Sequence, residues 1–128
     1  MNKLIIDVAN EKIFLMIITN ASIYNITHEN TKINYEKLTI IINDFLSSKS
    51  IKIADINAIY INQGSGSFAG IRNSMSVVKA FNVAKNIDYY CYNLDDFKDE
   101  KDLSYENIPN LCKKYKIKKN LINPIYIS

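Results

Sequence analysis

A chain of 128 residues, 48% apolar and 23% charged, can bury one hydrophobic core and is too short for two. Its formal net charge of +3 is mild, and Arg72 is the only arginine. The lysine excess accompanies heavy use of isoleucine and asparagine, so the basic balance reads as a solvated surface more readily than as a nucleic-acid footprint. No apolar run reaches the ~18 residues of a membrane span, and Asp7 falls where a secretory apolar stretch would continue. The expectation is a cytoplasmic protein with no leader and no membrane contact.

In chain order, Lys3–Val8 reads as a strand. Glu11–Ile18 and Ser22–Thr27 read as two more, joined at Ala9-Asn10 and Asn20-Ala21 into an antiparallel meander. A helix follows over Asn34–Ser48, where Leu38, Ile41, Ile42 and Phe45 repeat at helical spacing and Ile40 falls on the opposite side. Ile56–Asn62 is a fourth strand, Gly70–Lys85 a second helix and Ile87–Tyr92 a fifth strand. Strand, helix, strand implies a parallel crossover. The order predicts an α/β fold, a single ribonuclease H-like or actin-like lobe over residues 1–97. Its mixed five-stranded sheet has order 3-2-1-4-5 and helices on its faces. Residues 98–128 form a short tail, with a helix near Pro109–Tyr115, a basic cluster of Lys113, Lys114, Lys116, Lys118 and Lys119, and an apolar end at Leu121–Ile127.

All three glycines lie in one window, Gly64, Gly66 and Gly70, between a strand and a helix. Glycine serves where the backbone needs positive φ or close approach. Helix-start amides can also hold an anion, which makes Gly64, Ser65, Gly66 and Ser67 weak anion-loop candidates. The plainer alternative is a tight turn that brings the helix onto the sheet. No Gly-Lys-Ser/Thr follows and the GxGxxG spacing is missing, so neither a P-loop nor a dinucleotide fingerprint is present.

The run from Asp55 to Arg72, with Gly64, Gly66, Ser67, Phe68, Gly70 and Arg72 at its core, resembles the signature of the TsaB (YeaZ) family. The usual form there is a strand followed by Gly-Pro-Gly-Ser-Phe-Thr-Gly-Leu-Arg. Lys79, and Asn123-Pro124-Ile125-Tyr126-Ile127 near the end, extend the likeness. Ser65, Ala69 and Ser74 depart from the family's proline, threonine and glycine. The resemblance implies a short form lacking most of the second lobe. It also implies a non-catalytic partner of a TsaD-like protein, with a TsaE-like ATPase in the larger complex. That complex makes N6-threonylcarbamoyladenosine at position 37 of tRNAs reading ANN codons, so tRNA is contacted only indirectly. A homodimer in the partner's absence is a further expectation, and no cofactor is expected.

The residues themselves offer little for catalysis. A ribonuclease H-type metal pair needs carboxylates on the first and fourth strands. Asp7 stands at the end of the first, and Ile56–Gln63 supplies none, so Asp7 reads as a turn residue. No glycine follows it to admit phosphates. His28 is the only histidine and reads as a loop residue. Cys91 and Cys112 form neither a CxxC pair nor a disulfide framework and read as reduced structural thiols. Tyr89, Tyr90 and Tyr92 read as strand side chains. An actin-like nucleotide-binding phosphotransferase using Gly64–Gly70, and a small RNA-binding module using the lysines at 113–119, are the alternatives.

On the second helix, Ile71, Met75, Val78 and Phe81 share a face that should pack on the sheet. Asn73, Ser76, Val77, Ala80 and Ala84 form a seam of mostly small residues. With Ile40 they make a candidate partner interface. The seam could equally pack on the chain's own first helix.

Overall fold

The computed structural model describes residues 1–66 and 68–121, apart from the side chain of Phe68. Five strands, β1 (Lys3–Asp7), β2 (Lys12–Ile18), β3 (Ile23–Glu29), β4 (Ala58–Asn62) and β5 (Asp88–Tyr92), form one sheet of order β3-β2-β1-β4-β5. The pairs β1–β2 and β2–β3 are antiparallel, and β1–β4 and β4–β5 are parallel. This is the predicted mixed sheet. The helices are α1 (Lys32–Glu36), α2 (Leu38–Ser48), α3 (Phe68–Lys85) and α4 (Ile108–Lys114). No helix among the described residues is long and apolar enough to cross a membrane.

The period-2 alternation of strands divides the core in two. Leu4, Ile6, Ile13, Leu15, Ile17, Ile59, Ile61, Tyr89 and Cys91 point to one face, where Leu38, Ile42 and Phe45 of α2 and Ile71, Met75, Val78 and Phe81 of α3 cover them. Ile5, Met16, Ala58, Tyr60 and Tyr92 point to the other face, where Phe97 and the α4 residues Ile108, Leu111 and Cys112 cover them. Each fully buried aliphatic side chain contributes about 2 kcal/mol. A one-residue slip in register would exchange the two sets. Ser74, fully enclosed on the sheet side of α3, donates its hydroxyl to the Ile71 carbonyl at 2.8 Å.

Three local expectations need correction. The helix expected over Asn34–Ser48 is two helices joined at Lys37. Thr31 Oγ1 accepts from the Asn34 N–H at 3.3 Å and starts α1 early, and the Lys37 N–H tightens back onto the Asn34 carbonyl at 3.0 Å. His28 is not in a loop. β3 pairs with β2 along its whole length and carries His28 opposite Ile13. α3 begins at Phe68, two residues before the expected start.

Glycine is absent from the helix exits. Ser50, Asn86 and Lys116, which follow α2, α3 and α4, take φ of 58°, 56° and 55°, the left-handed setting that usually falls to glycine after a helix.

Candidate functional site

Parallel neighbours that end together bring their terminal side chains together, and ligands in open α/β sheets sit at such edges. Ile6 pairs with Ile61, so Asp7 lies beside Asn62. Asp7 is 3% exposed. Its Oδ1 accepts the Ala9 N–H at 3.0 Å. Its Oδ2 accepts from Asn62 Nδ2 at 3.2 Å, the Tyr105 hydroxyl at 2.8 Å and Asn10 Nδ2 at 3.5 Å. Tyr105 comes from the tail and stacks on Phe14 with ring centroids 3.9 Å apart. Burial, and then the negative charge of Asp7, hold the Tyr105 and Tyr92 phenols above their ordinary range, so both stay neutral. The carboxylate is therefore a clamp that ties the β1–β2 turn, β4 and the tail together.

The glycine loop is built onto this clamp. Asn62 Oδ1 accepts the Gly64 N–H at 3.0 Å, and Gly64 takes φ 121°. A Cβ on Gly66 would lie 2.1 Å from the Ala9 carbonyl oxygen. Gly66 is thus required by close backbone approach and Gly64 by positive φ, not Gly66 by φ. The Gly64 amide already has its acceptor. The cavity lined by Asn10, Asn62, Gly64, Ser65, Leu94 and Asp95 measures about 150 Å³ and carries a carboxylate. The Gly64 amide is already taken and Asp95 places a carboxylate in the cavity wall, and both count against a phosphate there. Of the signature residues, Gly70 is buried and Arg72 exposed, while Ser67 lies outside the described residues, as does the expected motif at Asn123–Ile127. A shallower cleft of about 790 Å³ opens beside the clamp, between Asn10, Phe14, Thr27, Asn30 and Tyr105.

Among the described residues no three His, Cys, Asp or Glu side chains converge on one point. Cys91 and Cys112 are buried free thiols, and burial pushes each up to about 12. Within the lysine cluster, Lys114 pairs with Glu100, and Lys119 reaches Asp88 at 3.5 Å.

Both α1 and α2 lie against α3. Of the proposed interface residues, Ser76, Ala80 and Ala84 are exposed and Ile40 is 59% exposed. Val77 is half-buried against the core, and the enclosed Asn73 Oδ1 has no partner among the described residues. Two further apolar residues stand out on the same helices, Val83 at 78% and Ile33 at 67% exposed. The spacing of Val83 from Ala80 was available in the sequence; Ile33 fell before the expected helix start.

No known family profile matches the sequence, and no curated protein does. Solved structures do. YeaZ from Pseudomonas aeruginosa superposes with a TM-score of 0.66 at 17% identity, over 72% of this chain and 43% of that one. The fold is ribonuclease H-like. A second structure, described as similar to peptidase YeaZ from the same organism, gives the same values. RuvC from Thermus thermophilus, in complex with Holliday junction substrate, matches with a TM-score of 0.54 at 9% identity, over 96% of this chain and 83% of that one. The chain spans less than half the length of the YeaZ chains. These likenesses establish the ribonuclease H-like, actin-like lobe.

Proposed function

We propose that the chain is a non-catalytic, TsaB-like scaffold subunit that docks a TsaD-like protein in the synthesis of N6-threonylcarbamoyladenosine at position 37 of tRNAs reading ANN codons. The observation that carries this reading is the exposure of Ile33, Ile40 and Val83 on α1, α2 and α3, the first two of which lie against α3, together with the exposed small residues Ser76, Ala80 and Ala84 of α3. Small residues let another helix approach closely, and contiguous exposed apolar surface marks association sites. These helices belong to the lobe whose loop carries the TsaB-like signature and whose solved neighbours include YeaZ. The engaged state of Asp7 agrees with a scaffold, because its acceptor sites already serve the fold. The TsaE-like ATPase and tRNA join through the partner. The same helices would pair two copies when the partner is absent.

The test is size-exclusion chromatography with light scattering on the chain alone and mixed with the TsaD-like protein. Co-elution in a stoichiometric heterodimer, with no ATP turnover by the chain alone, supports the reading. Separate elution at concentrations near 50 μM, where even weak specific pairs associate, contradicts it.

A further inference from the structure

At the opposite end of β1 from Asp7, on the face covered by α4, lies a pocket of about 530 Å³. Its walls include Lys3 on β1, Tyr60 on β4, Tyr90 on β5, and Lys113, Lys116 and Ile117 at the end of α4. Tyr60 and Tyr90 stack with centroids 5.0 Å apart and planes 11° from parallel. Tyr60 is 8% exposed, yet its hydroxyl has no hydrogen-bond partner among the described residues. A phenol at a cavity wall that bonds to no protein group is available to donate to a ligand there. Burial, then Tyr90 and Cys112, push the Tyr60 phenol up to about 12, so at neutral pH it remains a donor.

The electrostatics ask for the same kind of partner. No Asp or Glu lines the pocket. Lys114 and Lys119 nearby are ion-paired, whereas Lys3, Lys113 and Lys116 pair with no carboxylate among the described residues. Three ammonium groups in one concavity, beside two phenols and the Asn110 amide and with no carboxylate, favour an anionic group such as a phosphate. The volume exceeds that of a bare phosphate and falls in the range of small-molecule sites. The apolar walls, Pro109, Ile117 and the tyrosine rings, suit a planar heterocycle. Lys116 holds φ 55°, a setting glycine adopts with less strain.

From these contacts we propose that the pocket binds a nucleoside phosphate, its phosphate held by Lys3, Lys113, Lys116 and the Tyr60 hydroxyl and its base against the Tyr60–Tyr90 wall. The site is separate from the partner surface on α1–α3 and stands or falls independently of the scaffold reading. A free nucleotide and a nucleotide of an RNA strand share this chemistry.

The full chain is titrated with AMP, adenosine, inorganic phosphate and a single-stranded adenosine hexaribonucleotide, followed by calorimetry and by amide chemical shifts. Saturable AMP binding is expected, with shifts centred on Tyr60, Tyr90 and the end of α4, and with adenosine at least about tenfold weaker. Lys113→Glu combined with Lys116→Glu should weaken AMP at least about tenfold, and Tyr60→Phe should weaken it while circular dichroism stays unchanged. Lys118→Glu, on an exposed lysine outside the pocket, should leave it as it was. Hexamer binding that AMP displaces, and that the double variant loses, supports the same site and assigns the strand as its source. AMP binding without hexamer binding supports the free nucleotide. The proposal is overturned by no saturation below about 10 mM AMP, by adenosine binding as well as AMP, by equal weakening from Lys118→Glu, or by hexamer binding with no AMP binding.

Discussion

The two ends of β1 present opposite polar surroundings. At the carboxyl end, the Asp7 carboxylate meets the Ala9 amide, Asn62, Asn10 and Tyr105. At the amino end, the Tyr60 hydroxyl bonds to no protein group among the described residues, and the cavity that Tyr60 lines also holds Lys3, Lys113 and Lys116. The first end is where open α/β sheets usually place their chemistry, and here its carboxylate is engaged by the protein's own groups, while the buried Tyr92 hydroxyl beside it has no partner among the described residues. A carboxylate whose acceptor sites serve the fold is explained by the fold, whereas a cavity lined by unpaired ammonium groups and no carboxylate favours an anion.

The sharpest way to break this contrast is to remove the clamp. Asp7→Ala leaves the Tyr105 hydroxyl and the Asn62 amide without their acceptor, and should cost about 3 kcal/mol of stability. Urea unfolding checks it. A carboxylate retained for chemistry against the needs of the fold would show the reverse, with the variant more stable than the parent. Gly66→Ala places a methyl 2.1 Å from the Ala9 carbonyl oxygen. That forced shift of the backbone should cost about 2 kcal/mol in the same assay. Tyr105→Phe removes one bond to the carboxylate and keeps the stack on Phe14, for a loss of about 1.5 kcal/mol. An unchanged midpoint in that variant would detach the tail from the clamp.

Smaller effects lie away from the two ends. Ser50→Gly relieves a left-handed serine after α2 and should raise stability by about 0.5–1 kcal/mol. A loss would show that the Ser50 side chain has a role no contact reveals. The thiols should contribute nothing to pH dependence near neutrality. Burial raises Cys91 and Cys112 from the ordinary 9.0 to about 12. Between those values the unfolded chain releases thiol protons that the folded chain keeps. Stability from this source is therefore complete below pH 9 and falls as pH rises toward 12. Unfolding midpoints at about pH 7 and about pH 10.5 should separate accordingly, and Cys91→Ala with Cys112→Ala should shrink the difference.

Sheet order was legible because each strand carries its own apolar run and the connection lengths limit the topology. Leu4 and Ile6 against Ile5, and Tyr89 and Cys91 against Tyr90, already alternate in the sequence. The face of α3 made by Ile71, Met75, Val78 and Phe81 was legible for the same reason, since helical spacing is a local property. The break at Lys37 was not, because it depends on how Thr31 caps α1 and how the chain must turn from the edge strand β3. Asn62 and Tyr105 escaped notice as site residues because they meet Asp7 across 55 and 98 positions of chain. No spacing rule reaches that far; only the pairing of two parallel strand ends brings Asn62 to Asp7. The role of Gly66 was half legible: its need for glycine was plain, but whether φ or close approach required it depends on where Ala9 sits. The pocket at Tyr60 was dispersed over β1, β4, β5 and α4, and its lysines looked like part of a solvated cluster until two of that cluster proved to be ion-paired.

Calorimetry of the TsaD-like protein with the parent chain and with Ala80→Arg, at matched concentrations, reads whether the outer face of α3 carries the interface. Ala80 is exposed, so the arginine should leave the thermal midpoint of the free chain where it was. A saturable one-to-one complex with the parent is expected, with a loss of at least about a hundredfold in affinity for Ala80→Arg, from an unpaired charge placed in a closed interface. Asp99→Arg, an exposed charge change on the tail, should bind like the parent. Equal affinity for the parent and Ala80→Arg would place the interface elsewhere, and no complex with either would rule out the scaffold role.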